Sequence, residues 1–408
     1  MVSSDVPKTQ RALIFESYGG PLEIKQLPIP QPNEDELLVK MEYSGICHSD
    51  VHTWLGDFHY VSKCPMIGGH EGAGSVISVG SKVKNWQIGD KVGIKVSQTL
   101  NSSSLNFNIF QLVQGNCLNC EYCQTGHEPL CPHVWNIGVQ KYGTFQEYAT
   151  IRDVDAIKIP KSMNMAAAAP VLCGGVTAYK ALKESEVKSG QIVAVTGAGG
   201  GLGSFAIQYA RAMGMRVVAI DHPSKEAHCK SLGAEWFVDA FGTEDIVAHI
   251  REITDGGAHG VVNFAAAKVP MEKALEYVRK RGTVVFVGLA KDSKILVDTI
   301  PLIFNAVKIK GSIVGSRLDV NEAMDFVARG AVNVPLELVK LEDVAEVYTK
   351  MHDGKINSRQ LLSVFLNPII FLSNVVKQET FLGDFVNFCK FFTLFVSSSL
   401  FPEKSNSH

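Results

Sequence analysis

Cys117, Cys120, Cys123 and Cys131 fall in one stretch, GNCLNCEYCQTGHEPLC, spaced Cys-x-x-Cys-x-x-Cys and then Cys after seven further residues. Short arcs of chain can wrap four thiolates around a tetrahedral centre, and zinc favours four sulfur ligands when its role is structural. Free thiols, a Cys-x-x-Cys redox pair and an iron–sulfur cluster are the competing readings; a redox pair needs two cysteines rather than four. A closed site holds a loop together but leaves no position for a reactant, so the chemistry must lie elsewhere.

Three other stretches supply it. GICHSDVH carries Cys47, His48, Ser49, Asp50 and His52, GGHEGAG carries His70 and Glu71, and APVLCGGVTAYKAL presents Cys173 where an alanine-rich run meets two glycines. One Cys, one His and a second Cys leave zinc a fourth position for water or substrate, which separates a catalytic site from a structural one. Singly, a cysteine is more often a small buried hydrophobe and a histidine a satisfied polar residue. Their joint presence beside a four-cysteine loop favours the metal.

An acceptor for electrons comes later in the chain. QIVAVTGAGGGLGSFAIQYARAMGMRVVAID reads as a buried strand from Ile192 to Val195, a glycine turn, an amphipathic helix and a second strand ending at Asp221. Such a turn lets backbone amides and a helix N-terminus approach a pyrophosphate, while an acid about twenty positions on holds ribose hydroxyls. Gly197, Gly200 and Gly203 give G-x-x-G-x-x-G rather than the tighter G-x-G-x-x-G, with Ala198 interposed. Asp221 would repel a 2′-phosphate, so NAD is expected over NADP.

The elements around these stretches fall into two kinds. HGVVNFAAA, GTVVFVGLA and KIKGSIVGS are apolar strand-like runs separated by helical segments such as PMEKALEYVRK, the alternation of a doubly wound parallel sheet. From Arg11 to about Gly93 the runs are short and alternating (ELLVKMEYSG, GAGSVISVG, DKVGIK) and broken by Gly and Pro, which predicts a mostly antiparallel, barrel-like domain. At 408 residues the chain exceeds what one core usually supports. The net charge of −2, with both signs interspersed, offers no basic stripe and argues against nucleic acid as a partner. MVSSDVPKTQRALIFE lacks the features of a signal or transit peptide, so a cytoplasmic, reducing location is expected and the nine cysteines read as ligands rather than a disulfide framework.

From about Thr9 to Leu362 the chain resembles the zinc-dependent alcohol dehydrogenases of the medium-chain dehydrogenase/reductase superfamily, fungal ethanol-metabolising type. The resemblance rests on SGICHSDVH, GGHEGAG, CEYCQTG, YGTFQEYAT, LCGGVTAYKAL and TDGGAHGVVN, in the family's order. It implies an α/β fold in which a GroES-like catalytic domain (1–174) is joined to a Rossmann NAD-binding domain (175–308), with 309–362 returning to the first. Carried over by position, Cys47, His70 and Cys173 are the catalytic zinc ligands, with Glu71 able to approach the metal, and Cys117, Cys120, Cys123 and Cys131 hold a structural zinc. Asp50 matches an acid that orients a ligand histidine. The implied reaction is oxidation of small primary alcohols such as ethanol, in which zinc lowers the alcohol's pKa and hydride passes to the nicotinamide. Ser49, the cofactor ribose and His52 would relay the proton to solvent, with His52 as base. His48 and Arg359 fall at pyrophosphate positions, and Gly200, Gly201, Leu202 and Gly203 at the turn. Lys225 falls beside Asp221 at the adenosine ribose, one residue short of the fungal spacing. Val287 and Leu289 lie against the nicotinamide, and Trp54 and Phe58 match bulky pocket walls, with plain core packing as their other reading. The family's dimers and tetramers imply a homo-oligomer by analogy.

Two regions depart from the pattern. Residues 96–114, rich in Asn and Ser, interrupt the approach to the four-cysteine loop, and 363–408 form a Phe-rich tail whose apolar runs are too short or interrupted for a membrane span. Both read as translated non-coding sequence, to be decided by peptide mass spectrometry. SIVGSRLDVNEAMDF is several residues shorter than in relatives, in a region that shapes the cleft. The alternatives are therefore a polyol or larger-alcohol dehydrogenase, or an inactive protein that still binds zinc and nucleotide.

Overall fold

The computed structural model describes residues 6–57, 64–94, 116–133, 137–138, 141–289, 294–333, 335–356 and 359–365. Phe58, the segment 96–114 and the tail beyond Phe365 lie outside the described residues. The chain divides into two units, Met1–Val364 and Phe365–His408, and every strand and helix among the described residues belongs to the first.

The second half builds the parallel sheet that its alternating runs predict. Six strands lie in the order Trp236–Asp239, Arg216–Asp221, Ile192–Thr196, Ala258–Asn263, Val278–Phe286 and Lys308–Gly311, every neighbouring pair parallel. Chain order reverses direction between Ile192–Thr196 and Ala258–Asn263, so the crevice beyond their C-terminal ends is where such sheets bind ligands. Ile192–Thr196 is buried at every position, as a strand covered on both faces must be. The helix Gly201–Ala212 starts directly after the glycine turn, and a side chain on Gly203 would strike the Gly197 carbonyl oxygen at 2.2 Å, which is why only glycine fits there. One expectation changes. The helix Lys268–Tyr277 stops before Val278-Arg279-Lys280, which the periodicity assigned to it; Val278 is extended and pairs with Ala258, opening the next strand.

The first half forms mostly antiparallel structure, again as expected; in its larger sheet Leu336–Val339 and Arg359–Ser363 pair parallel. A seven-stranded sheet runs Leu336–Val339, Arg359–Ser363, Glu36–Gly45, Glu71–Val79, Lys91–Ile94 and Ala156–Lys158, with Tyr148–Arg152 also pairing Glu36–Gly45. Arg359–Ser363 pairs antiparallel with the end of Glu36–Gly45, Leu361 opposite Gly45. This brings the C-terminal part of the described chain to the strand that ends two residues before Cys47. A smaller sheet joins Glu23–Pro28, Thr9–Phe15 and Met66–Ile67. The helix Gly174–Glu184 packs into a core that takes in Val171 and Leu172 before it, Phe205 and Tyr209 on the helix Gly201–Ala212, and Val193 and Val195 beneath. Cys173 caps that helix, so one rigid unit joins a candidate ligand to the glycine-turn helix. After Gly315 the short segment enters the helix Arg317–Ala328 at once through a capping box of Ser316 and Asp319.

Candidate active site

Three loops converge. Cys47 is the N-cap of the helix His48–Leu55, and its backbone N–H donates to Asp50 Oδ2 at 2.9 Å. The other Asp50 oxygen accepts from the Gly69 backbone N–H at 3.1 Å and lies 2.7 Å from His70 Nδ1. One carboxylate therefore fixes the helix start, the loop before His70 and the ring itself. With Nδ1 committed, His70 Nε2 faces the sulfurs of Cys47 and Cys173. The ligand atoms of Cys47, His70, Glu71 and Cys173 all lie within 4.8 Å of one another, and all four residues are buried.

The donor set fits a divalent cation. Among the described residues His70 Nε2 and Glu71 Oε2 are buried without a hydrogen-bond partner, although Asp50 and Arg359 engage the other ends of the same side chains. Buried polar atoms are rarely left so, and an ion at the centre would satisfy both. The protein's own electrostatics agree. A hydrogen bond from Cys173, with His70 and Arg359 nearby, holds the Cys47 thiol well below its ordinary pKa, while that same bond and burial hold Cys173 well above. Burial pushes Glu71 up to about 7 against the pull of Arg359. Burial opposes a charge on His70, but Asp50 and Cys47 outweigh it and raise the ring well above its usual value. Cys173, Glu71 and His70 thus hold protons in the absence of an ion, and a bound cation would take their place.

Cys117, Cys120, Cys123 and Cys131 also gather within 4.8 Å of one another. Cys117 and Cys123 sulfurs stand 4.0 Å apart, far beyond a disulfide bond, and fit neighbouring corners of a tetrahedron around zinc. Backbone N–H groups of Cys120 and Cys117 donate to the sulfurs of Cys117 and Cys131 at 3.3 and 3.4 Å; against burial, such bonds hold Cys117 down to about 6, whereas burial keeps Cys131 above its ordinary value. Four sulfurs complete such a tetrahedron, which leaves no corner for a reactant.

Arg359 links the first cluster to the glycine turn. Its guanidinium hydrogen-bonds Glu71, and it lies 3.2 Å from where a Gly174 side chain would begin and 3.4 Å from the equivalent point on Gly201. Its Nε is buried and unpartnered among the described residues, which suits an anion. At the far side of the turn, Asp221 accepts from Gly199 N–H at 2.8 Å and His222 N–H at 2.7 Å. Lys225 lies across Gly199 and its Nζ approaches the Ile356 carbonyl at 3.4 Å.

Residues 33–161 match the family described as alcohol dehydrogenase GroES-like domain, and residues 201–329 match the zinc-binding dehydrogenase family. Alcohol dehydrogenase 2 of Caenorhabditis elegans is 68% identical over 359 residues, covering 88% of this chain and 98% of that protein. The chain belongs to the zinc-dependent alcohol dehydrogenases. Alcohol dehydrogenase 1 of the same nematode is 66% identical over 362 residues, covering 89% of this chain and 99% of that protein. Among solved structures, the acetophenone reductase of Geotrichum candidum in complex with NAD superposes with a TM-score of 0.74 at 27% identity, covering 88% and 98% of the two chains. An alcohol dehydrogenase from Aeropyrum pernix gives 0.76 at 26%, covering 86% and 99%.

In this alcohol dehydrogenase the remaining expected residues are placed unevenly. Ser49 Oγ lies 3.8 Å from the Cys47 sulfur, and His52 follows one helical turn later on the same face. His48 is exposed, with Nε2 3.2 Å from the Met351 carbonyl. Val287 and the exposed Leu289 follow the end of Val278–Phe286. Trp54 is anchored by a 2.7 Å hydrogen bond from Nε1 to the Gly20 carbonyl and packs on Tyr348 with ring centroids 5.7 Å apart, which supports its packing role. Sequence reasoning missed Tyr348, buried within the field of Asp50 and Cys47, and Asp57, whose Oδ2 is 3.0 Å from His52 Nδ1. Neither sits in a motif, although Asp57 follows a helix-ending glycine.

Proposed function

We propose that the chain is an NAD-dependent alcohol dehydrogenase that oxidises small primary alcohols such as ethanol to aldehydes and runs the reverse reaction. The observation that carries this reading is the buried convergence of Cys47, His70 and Cys173, with Arg359 reaching from it to the glycine turn. Those three residues would hold the catalytic zinc, and the four-cysteine loop the structural one. When bound, zinc supplies Lewis acidity toward the substrate oxygen, and NAD takes the hydride.

The chain's own groups do the rest. Asp50 orients His70 by accepting from its Nδ1, which leaves Nε2 to coordinate. Arg359, and the amides where the helix Gly201–Ala212 begins, offer positive charge to the pyrophosphate. Asp221, with Lys225 beside it, receives the adenosine ribose and disfavours a 2′-phosphate. Val287 and Leu289 flank the nicotinamide. Ser49 and His52, one turn apart, carry the substrate proton toward water, His52 taking it on its ring. A cytoplasmic location is part of this reading. Among the described residues no single helix is long and apolar enough to cross a membrane, and the bent pair Met165–Leu172 and Gly174–Glu184 lies largely in the core. Exposed Leu296, Ile300, Ile303 and Phe304, near the edge strand Lys308–Gly311, support a homo-oligomer.

The test is NADH absorbance with purified full-length protein and ethanol, before and after a chelator. Ethanol-dependent NADH formation that the chelator abolishes is expected, with rates falling along a series of longer alcohols and polyols. Protein that binds zinc and NAD but forms no NADH with any alcohol would overturn the reading in favour of an inactive binder.

A further inference from the structure

The helix His48–Leu55 ends in a way that couples two side chains. Gly56 takes a left-handed conformation at φ 74°, its N–H donates to the Thr53 carbonyl at 3.2 Å, and the Asp57 N–H donates to the His52 carbonyl at 3.0 Å. These two bonds are the Schellman arrangement, which returns the residue after the glycine to the last full turn. The side chains so juxtaposed usually make an apolar contact. Here they are Asp57 and His52, with Oδ2 3.0 Å from Nδ1 and both only partly exposed.

The turn is braced from outside. A side chain on Gly56 would begin 3.0 Å from the Tyr18 ring, Gly19 N–H donates to the Trp54 carbonyl at 2.8 Å, and Trp54 Nε1 donates to the Gly20 carbonyl. The His52–Asp57 pair is therefore held by backbone geometry at both ends. A ring hydrogen shared with a carboxylate fixes the tautomer: with Oδ2 as acceptor the hydrogen sits on Nδ1, and Nε2 carries the lone pair.

We propose that Asp57 is a positioning residue for proton release, fixing the His52 ring and its tautomer so that Nε2 is presented as the proton acceptor. The inference rests on the proposed role of His52 as carrier of the substrate proton. Asp57 itself gains and loses no proton in the cycle; His52 takes one at Nε2 and returns one to solvent.

The test compares Asp57→Asn, Asp57→Glu and His52→Gln in the full-length enzyme, reading kcat/KM for ethanol, zinc content, NADH affinity and rescue by added imidazole. Asp57→Asn and His52→Gln are expected to lower kcat/KM by roughly ten- to hundredfold, with zinc content and NADH affinity unchanged. Imidazole restores part of the rate in both, and Asp57→Glu keeps most of it. Full activity in Asp57→Asn beside a slow His52→Gln overturns the role of Asp57 alone. Full activity in His52→Gln overturns the relay and this inference with it. A slow Asp57→Asn that imidazole does not rescue, or that has lost zinc, reduces Asp57 to a structural residue and also overturns the proposal.

Discussion

The guanidinium of Arg359 hydrogen-bonds the carboxylate of Glu71 inside the protein, with side-chain exposures of 5% and 0%. The contact joins distant parts of the chain: Glu71 opens the strand Glu71–Val79, and Arg359 opens the strand Arg359–Ser363, which lies in the same sheet with only Glu36–Gly45 between them. It sets the charge beside the ligand cluster and points a cation at the glycine turn.

Removing one partner of a buried pair leaves the other charge uncompensated, at a cost of about 3–5 kcal/mol. Arg359→Met is accordingly expected to lower the unfolding free energy measured in urea by an amount in that range and to weaken NADH binding as well. Unfolding curves and NADH fluorescence titration check the two effects separately, and normal NADH affinity would detach Arg359 from the cofactor.

The four-cysteine loop has its own tie to the fold. Arg317 Nε donates to Glu128 Oε1 at 3.1 Å and Nη1 to the Val154 carbonyl at 2.9 Å, while Glu128 is buried with Oε2 unpartnered. Arg317→Met should destabilise by about 1–3 kcal/mol because it strands that carboxylate. Adding Glu128→Gln should cost much less than the second single change alone. A double-mutant cycle on urea midpoints measures the difference, and strict additivity would show that the contact contributes nothing.

Acid stability has a traceable source where the helix that Cys173 caps meets the helix Arg317–Ala328. Burial pushes the Asp319 carboxyl up, but Lys183, 2.8 Å away, and the Ser316 amide and hydroxyl outweigh it, leaving Asp319 below its ordinary value of 3.8. A depressed carboxylate contributes stability that is complete above the unfolded value and lost as pH falls through the folded one. Lys183→Met should therefore lower the urea midpoint most above about pH 5 and progressively less toward pH 3. An equal loss at both pH values would remove Asp319 from the explanation.

The residue types of both metal sites were legible because zinc chemistry restricts them to a few side chains and their local spacing survives folding. Cys117 to Cys131 could be read almost as a unit for that reason. The joining of Cys47, His70 and Cys173 was suggested by their residue types beside the four-cysteine loop and sharpened by the family resemblance, since no local rule brings residues so distant in sequence together. The parallel sheet of the second half followed from alternation of apolar runs and helices. Val278-Arg279-Lys280 went astray because a buried Val before two charged residues suits a helix as well as a strand, and pairing with Ala258 decides it. The Arg359–Glu71 contact depends on sheet pairing across the whole chain. The His52–Asp57 pair depends on one left-handed glycine, whose side-chain consequences no periodicity records.

The central claim is that Cys47, His70 and Cys173 share one ion on which turnover depends, separate from the ion of the four-cysteine loop. Its most direct test is zinc content, measured by elemental analysis, of the intact protein and of Cys173→Ala, each paired with ethanol-dependent NADH formation. The account predicts about two zinc ions per chain in the intact protein, and about one, with turnover lost, in the variant. A Cys173→Ala protein that keeps both ions and full turnover would contradict it.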